Sequence, residues 1–243
     1  MSSDPAPVQA GGNTVDVRIA AVLPALNEEQ ALAQVLKDLP RSLFTSVIVA
    51  DNGSTDRTAE VARAGGAQVV SEPRRGYGRA CLAALAALPA EIEIVVFLDA
   101  DASDNPSEAV RLVEPILRGE ADLVIGSRAR GHAQPGSLFL TQRVGNRLAV
   151  GLIRLLYGHR YTDLGPFRAI RRSSLKQLEM SDLNFGWTAE MQVKALKCGL
   201  RVEEVPVSYR RRIGRSKISG TVRGATLAAL KIAWTIFRLR WTR

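Results

Sequence analysis

Cysteine and histidine are almost absent, with two of each in 243 residues. Cys81 and Cys198 stand singly in apolar-periodic stretches without metal-ligand spacing. That excludes a disulfide scaffold or a zinc site and predicts reduced thiols at or near the core of a cytosolic protein. His132 and His159 are too isolated to suggest a metal centre. No uncharged apolar run approaches the ~20 residues that span a bilayer. No G-x-G-x-x-G follows the first strand pattern and no G-x-x-x-x-G-K-[ST] occurs, which disfavours dinucleotide oxidoreductases and P-loop NTPases. Acids are missing from one region in particular. Ten of the 33 Lys/Arg and none of the 24 Asp/Glu lie between Val207 and Arg243, leaving 23 bases against 24 acids in the remainder. The net charge of +9 is therefore a property of the C-terminal stretch. A local anionic partner follows: phosphate, anionic lipid or nucleic acid.

What is present is apolar and patterned. An apolar content of 46% is ample for a packed core. Residues 1–16 are rich in Pro, Gly, Ser and Ala, lack the basic start and apolar run of a signal peptide, and read as a disordered tail. From residue 17 the chain alternates strand and helix patterns. Strands are predicted over 17–23 (closed by Pro24), 47–49, 68–71 and 92–98. Asn27 is placed to cap the first helix, with Glu28 and Glu29 in its first turn and Leu32, Val35, Leu36 and Leu39 on its buried face. Further helices are predicted over 58–64, from Gly76-Tyr77-Gly78 to about Leu88, and from Pro106 to about Arg118. This order argues for a mostly parallel α/β sheet with helices on both faces. Beyond it, 123–125 reads as a short strand, 130–137 as a mobile flap, 142–157 and 188–197 as helices, 164–170 as extended, and 200–209 as a strand near the sheet edge.

The chain is organised around Val95-Val96-Phe97-Leu98-Asp99-Ala100-Asp101. Four apolar residues suit a strand buried on both faces, and two carboxylates stand where it ends. Ligands of open α/β sheets bind outside such ends, and hard oxygen donors there suit Mg²⁺ or Mn²⁺ bridging to a diphosphate. Glu28/Glu29 and Asp51/Asp56 follow other strand ends. A crevice lined by several acids repels a diphosphate unless a cation intervenes, while the remaining acids can accept bonds from ribose or base.

Taken in order, Pro24-x-x-Asn27-Glu28, Asp51-Asn52-Gly53-Ser54-Thr55-Asp56, Asp99-Ala100-Asp101 and Gly126-Ser127-Arg128 resemble the family 2 glycosyltransferases of GT-A fold. Gly165-Pro166-Phe167-Arg168 and Arg211-x-x-Gly214-Arg215-Ser216-Lys217 are similar to the soluble dolichol-phosphate mannosyltransferase, or polyprenyl-phosphate glycosyltransferase, branch. The resemblance covers residues 17–220, leaving 221–243 as a basic, Trp-containing helix. It implies that Pro24, Leu26, Asn27, Glu28 and Asp51 line a nucleoside pocket. It implies that Asp101 ligates the metal beside Asp99, Ala100 and Ser103. It implies that Arg128 contacts sugar or diphosphate, and that Arg211 and Lys217 close over phosphates. Asn52 departs from the resemblance, standing where a second aspartate is usual. Ser103 departs too, standing where some relatives have Gln.

A Glu-Asp pair that serves many such enzymes as base is also missing; only Glu190 stands late in the domain. A hydroxyl acceptor needs a base, whereas a phosphate monoester, with its second pKa near 6, is already largely dianionic at pH 7. The sequence thus predicts transfer of a sugar from GDP-mannose or a UDP-sugar to a polyprenyl phosphate, with inversion, at the cytosolic membrane face. The alternative is a soluble or lipid hydroxyl acceptor with Asp163 or Glu190 as base. Tyr77, between two glycines, fits base stacking as well as core packing, and Arg168 fits a ligand contact as well as an ion pair. Leu227, Leu230, Trp234, Phe237 and Trp241 form a helical stripe suited to an anionic membrane surface, or to docking on this domain or a second subunit of a homodimer. A nucleic-acid-binding or scaffold protein would explain the basic tail but not the acids at successive strand ends.

Overall fold

The computed structural model describes residues 17–214 and 222–242. Its apolar runs form one sheet of seven strands in the order β3-β2-β1-β4-β6-β5-β7. The strands are β1 (Ile19–Ala25), β2 (Ser46–Asp51), β3 (Gln68–Ser71), β4 (Ile94–Phe97), β5 (Leu123–Ser127), β6 (Arg168–Arg171) and β7 (Val202–Pro206). The helices are α1 (Glu29–Asp38), α2 (Thr58–Ala64), α3 (Tyr77–Ala86), α4 (Ala109–Leu117), α5 (Leu140–Tyr157), α6 (Arg172–Gln177), α7 (Trp187–Lys197) and α8 (Val222–Leu239). Only β6 opposes its neighbours, pairing antiparallel with β4 and β5, while the other pairings are parallel.

Side chains alternate across a strand, so a strand covered on both faces feeds two cores. In β1, Ile19, Ala21, Leu23 and Ala25 join one core, with Leu32, Val35 and Leu36 of α1 and Leu112, Val113 and Ile116 of α4. Ala20 and Val22 join the other, with Ala80, Cys81 and Ala84 of α3, Ile153 of α5, Trp187 of α7 and Ile236 and Leu239 of α8. Trp187 lies edge-on to Phe97, ring centroids 6.1 Å apart.

Several sequence expectations are corrected. Pro24 does not close β1, which runs on to Ala25 beside Asp51 of β2. Leu98 N–H donates to Val22 O, so Val22 and, two residues on, Pro24 present their backbone groups toward β4. Pairing with β4 stops at Val22–Phe97, where the N–H that Pro24 lacks would be needed next. The proline therefore separates β1 from β4 without separating β1 from β2. Asn27 does not cap α1. It takes φ +52°, and Glu28 occupies the N-cap position. Asn27 instead ties two turns together, donating its N–H to Ser54 Oγ and accepting from Thr55 N–H. Cys81 is buried, but Cys198 is exposed. Only 168–171 of the predicted extended stretch is strand, and α6 follows it unpredicted. The loop 130–137 is bonded to the segment after β7. Gln134 N–H donates to Tyr209 O, and Arg211 Nε to Pro135 O. Residues 1–16 and Lys217 lie outside the described residues.

Gly78 sets how closely α3 meets the loop before α7. A Cβ there would stand 1.9 Å from the Asp182 carbonyl oxygen, whereas one at Gly151 on α5 would meet nothing within 4 Å. Gly78→Ala is expected to lower stability by about 1–3 kcal/mol. Gly151→Ala is expected to raise it by about 0.5–1 kcal/mol. Urea midpoints of the two variants moving in the same direction would contradict this packing.

Candidate active site

The strand order reverses direction between β1 and β4, the switch point at which open α/β sheets bind ligands. A cleft of about 430 Å³ opens there. Pro24 near the end of β1 and Leu26 and Glu28 after it line the cleft, as do Asp99, Ala100 and Asp101 after β4 and Arg128 after β5. These seven sequence-predicted residues therefore share one cavity.

The acids in it are crowded. Asp99 Oδ1 accepts from the Tyr77 hydroxyl at 3.1 Å. Burial, and then the neighbouring Asp101 charge, pushes the Asp99 pKa up to about 7. Asp104, which the sequence reading missed, is buried beside them. Burial and then the charges of Asp99 and Asp101 raise its pKa well above the ordinary range. Asp101 is offset by a cation of the chain's own. Arg212 Nη2 stands 3.2 Å from Asp101 Oδ2 and 3.1 Å from Glu28 Oε1.

Arg212 is placed by long-range pairing. Arg210 N–H donates to Ser103 O and Ile213 N–H to Asp101 O, laying this segment along the loop after β4. Three consecutive arginines marked the region, but which of them enters the cleft depends on that pairing. Arg210 turns to Asn105 and Asp38 instead. Arg211, the sequence's choice, is exposed and bonded to Pro135.

Arg128 is fixed from behind. Asp163 takes its Nε at 2.8 Å and its Nη2 at 2.7 Å. Burial alone would lower the arginine's pKa, but the Asp163 carboxylate more than reverses this, so the guanidinium stays charged. Its carbon lies 5.1 Å from the Tyr209 ring centroid.

Several other predicted residues are not in the cleft lining. Asp51 accepts from Ser54 N–H in its own turn; Asn52, next to it, faces the cleft. Asn52 donates to the carbonyls of Glu72 and Arg74 and accepts from Gly76 N–H, a donor-and-acceptor role that an ionised aspartate cannot fill. Ser103 is fully buried, and its N–H donates to Asp101 Oδ1, which orients the aspartate. Asp163 is occupied by Arg128. Glu190 is fully buried; it accepts from the backbone of Ser181 and Asp182 and pairs with Lys194 at 2.9 Å. Neither is placed as a base. Arg168 is also fully buried, bonded to the carbonyls of Gly165 and Thr188, and burial lowers its pKa to about 10. Tyr77 lines the cleft and braces Asp99.

A divalent cation fits this chemistry. One cationic group already bridges Glu28 and Asp101, and crowding disfavours ionisation of Asp99 and Asp104. Among the described residues no three His, Cys, Asp or Glu side chains form a closed metal cage. Mg²⁺ or Mn²⁺ here would complete its shell from water and phosphate, the usual habit of Mg²⁺.

Asp99 predicts a pH dependence for the metal-free protein. Its folded pKa, about 7, exceeds the ordinary aspartate value of 3.8, so the folded state holds the proton more tightly. Stability from this group is complete below the lower value and is lost as pH rises through the upper one. In chelator, wild type is expected to lose stability between pH 4 and 7 relative to Asp99→Asn. Parallel urea-midpoint curves for the two proteins would refute this.

Comparison with known proteins bears on the family and the fold. The model of the family described as glycosyl transferase family 2 matches residues 20–179. An uncharacterised glycosyltransferase of Mycobacterium tuberculosis is 40% identical over 215 residues, 87% of this chain and 94% of that protein. The dolichyl-phosphate hexose transferase of Haloferax volcanii is 33% identical over 211 residues, 86% of this chain and 90% of that protein. Among solved structures, glucosyl-3-phosphoglycerate synthase from M. tuberculosis, in complex with Mn²⁺, UDP and glucosyl-3-phosphoglycerate, matches with a TM-score of 0.74 and 28% identity. That match covers 92% of this chain and 80% of that one. The GT-A architecture expected from the sequence is the one observed.

Proposed function

The chain belongs to glycosyl transferase family 2, and from that premise we propose that it moves a hexosyl group from a nucleoside diphosphate sugar to a polyprenyl phosphate, with a divalent cation and inversion. The observation that carries this reading is the division of labour among the acids. Glu28 and Asp101 converge on one cationic position, while the two candidate bases, Asp163 and Glu190, are tied up in buried pairs.

Asp101, with Asp99 beside it, would hold Mg²⁺ or Mn²⁺; bound there, the ion neutralises charge on the departing diphosphate. The chain's own residues do the rest. Leu26 and Pro24 offer an apolar wall to the nucleoside. Arg128, held rigid by Asp163, keeps a fixed positive charge at the cleft wall, where a preorganised charge acts most strongly on a transition state. Arg212, held on the two carboxylates at the cleft wall, could turn to the donor's phosphates. An acceptor phosphate arrives already ionised and needs no proton removed. Leu164, Pro166, Phe185 and Ile232 supply an apolar side to the same cleft, suited to the first units of an isoprenoid chain. The H. volcanii relative is named for a dolichyl-phosphate acceptor. The M. tuberculosis synthase was crystallised with a phosphate-bearing product and Mn²⁺. A lipid-borne acceptor puts the reaction at the cytosolic face of a membrane, and no described helix is long and apolar enough to cross one.

Purified protein given Mn²⁺, radiolabelled UDP- or GDP-sugars and detergent-dispersed polyprenyl phosphate is expected to move label into the organic phase, and EDTA to stop it. Asp101→Ala is expected to lower that rate by roughly 100-fold or more. Glu190→Gln should keep the rate and lose about 1–3 kcal/mol of stability. Label passing only to a soluble phosphorylated acceptor would overturn the lipid acceptor and keep the donor chemistry. Loss of transfer in a folded Glu190→Gln variant would restore that residue as a base.

A further inference from the structure

Helices packed on a sheet normally turn their apolar side inward and present polar side chains to water. α5 and α8 do the first but also turn large apolar side chains outward. On α5, Leu140, Val144, Leu148 and Leu155 recur on one outward face, and Leu140 and Leu155 are 75% and 80% exposed. On α8, Leu227, Leu230, Trp234 and Phe237 do the same, continuing to Trp241. The inward sides are satisfied separately, by Ala149 and Ile153 on α5 and by Ile236 and Leu239 on α8. The two helices pack against each other, and the Tyr157 hydroxyl donates to Ile236 O. Two outward apolar stripes thus lie on neighbouring helices.

Charge identifies what covers them. There is no Asp or Glu between Asp122 and Asp163, nor after Glu204, so neither helix carries a carboxylate. Exposed Arg143, Arg147 and Arg154 each precede a residue of the α5 stripe, and Arg238 and Arg240 flank the α8 stripe. A symmetric contact between two copies would set these arginines against one another without an acid to pair them. An anionic bilayer meets both demands, taking leucines and tryptophans into the headgroup boundary while the arginine stems reach up to lipid phosphates.

We propose that the joint outer face of α5 and α8 docks flat on an anionic membrane surface. The docked surface comprises both helices, not the C-terminal stretch alone. Gln142 of α5 and Ala228 and Ile232 of α8 also line the cleft, so a docked molecule has its active site bounded by the two helices that touch lipid. The face is read from exposure and charge and stands apart from the acceptor's identity.

The test uses the full chain and vesicles without any polyprenyl phosphate. Wild type is expected to co-sediment with phosphatidylcholine vesicles containing phosphatidylglycerol, and at least about tenfold less with phosphatidylcholine alone. Leu148→Glu/Leu155→Glu on α5 and Trp234→Glu on α8 should each lower binding by about tenfold or more. These positions are exposed, so urea midpoints should stay near wild type. Transfer to detergent-dispersed acceptor reads the chemistry separately, and a failure there leaves the vesicle result standing. Wild type that ignores anionic vesicles overturns the proposal, as does binding unaltered by the α5 variant. A concentration-dependent dimer dispersed by Leu148→Glu/Leu155→Glu, without vesicle binding, would assign the face to a second copy.

Discussion

The charge balance between the ends of β1 and β4 governs this molecule's chemistry. Asp99, Asp101 and Asp104 are brought together by one tight loop after a strand, and Glu28 approaches from the neighbouring strand. Buried carboxylates at such range disfavour one another's ionisation unless a cation stands between them. The chain supplies one in Arg212, which reaches both Glu28 and Asp101 from a segment more than a hundred residues further on. A site that already accommodates a guanidinium there is electrostatically prepared for a metal ion and for the phosphates the ion would carry.

Backbone geometry makes room for that balance. Pro24 cannot donate toward β4, so the two central strands part where their acids begin, while β1 stays paired with β2. The turn 51–56 is then held against the start of α1 by bonds from Asn27, Glu28 and Glu29 to Ser54, Thr58 and Asp56. On the far wall, Asp163 fixes Arg128 and is itself anchored: its backbone N–H donates to Glu204 of β7, and its carbonyl accepts from Gln192 of α7. Arg128 thus has a buried partner behind it, which is how a site keeps its geometry when a ligand arrives.

The two long helices show that one sequence pattern can serve two surfaces. In α8 the apolar residues fall on two sides. Ile236 and Leu239 complete the core beneath the sheet, and Trp234 and Phe237 face away from it. A helix that is apolar nearly all round but carries arginines is unsuited to full burial or to full solvation, and the lipid contact proposed above would reconcile the two.

The sequence by itself determined the alternation of strands and helices, the parallel sheet, the burial of β4 on both faces and the placing of acids at strand ends. These follow from local periodicity and from the chemistry of short motifs, and both are written within a few residues. It also identified seven of the cleft's residues, because they lie within four positions of a strand end. Only the tertiary structure decided the rest. It chose Arg212 over Arg211, because side-chain direction in an irregular segment depends on what that segment pairs with. It tied Glu190 and Asp163 into buried pairs, because a carboxylate's surroundings depend on partners distant in sequence. It replaced Asn27 by Glu28 at the start of α1, because a left-handed turn cannot be told from a cap by residue type. The outward stripe of α8 was visible as a pattern, but which of its two apolar sides would be left uncovered was settled by packing against α5 and α7.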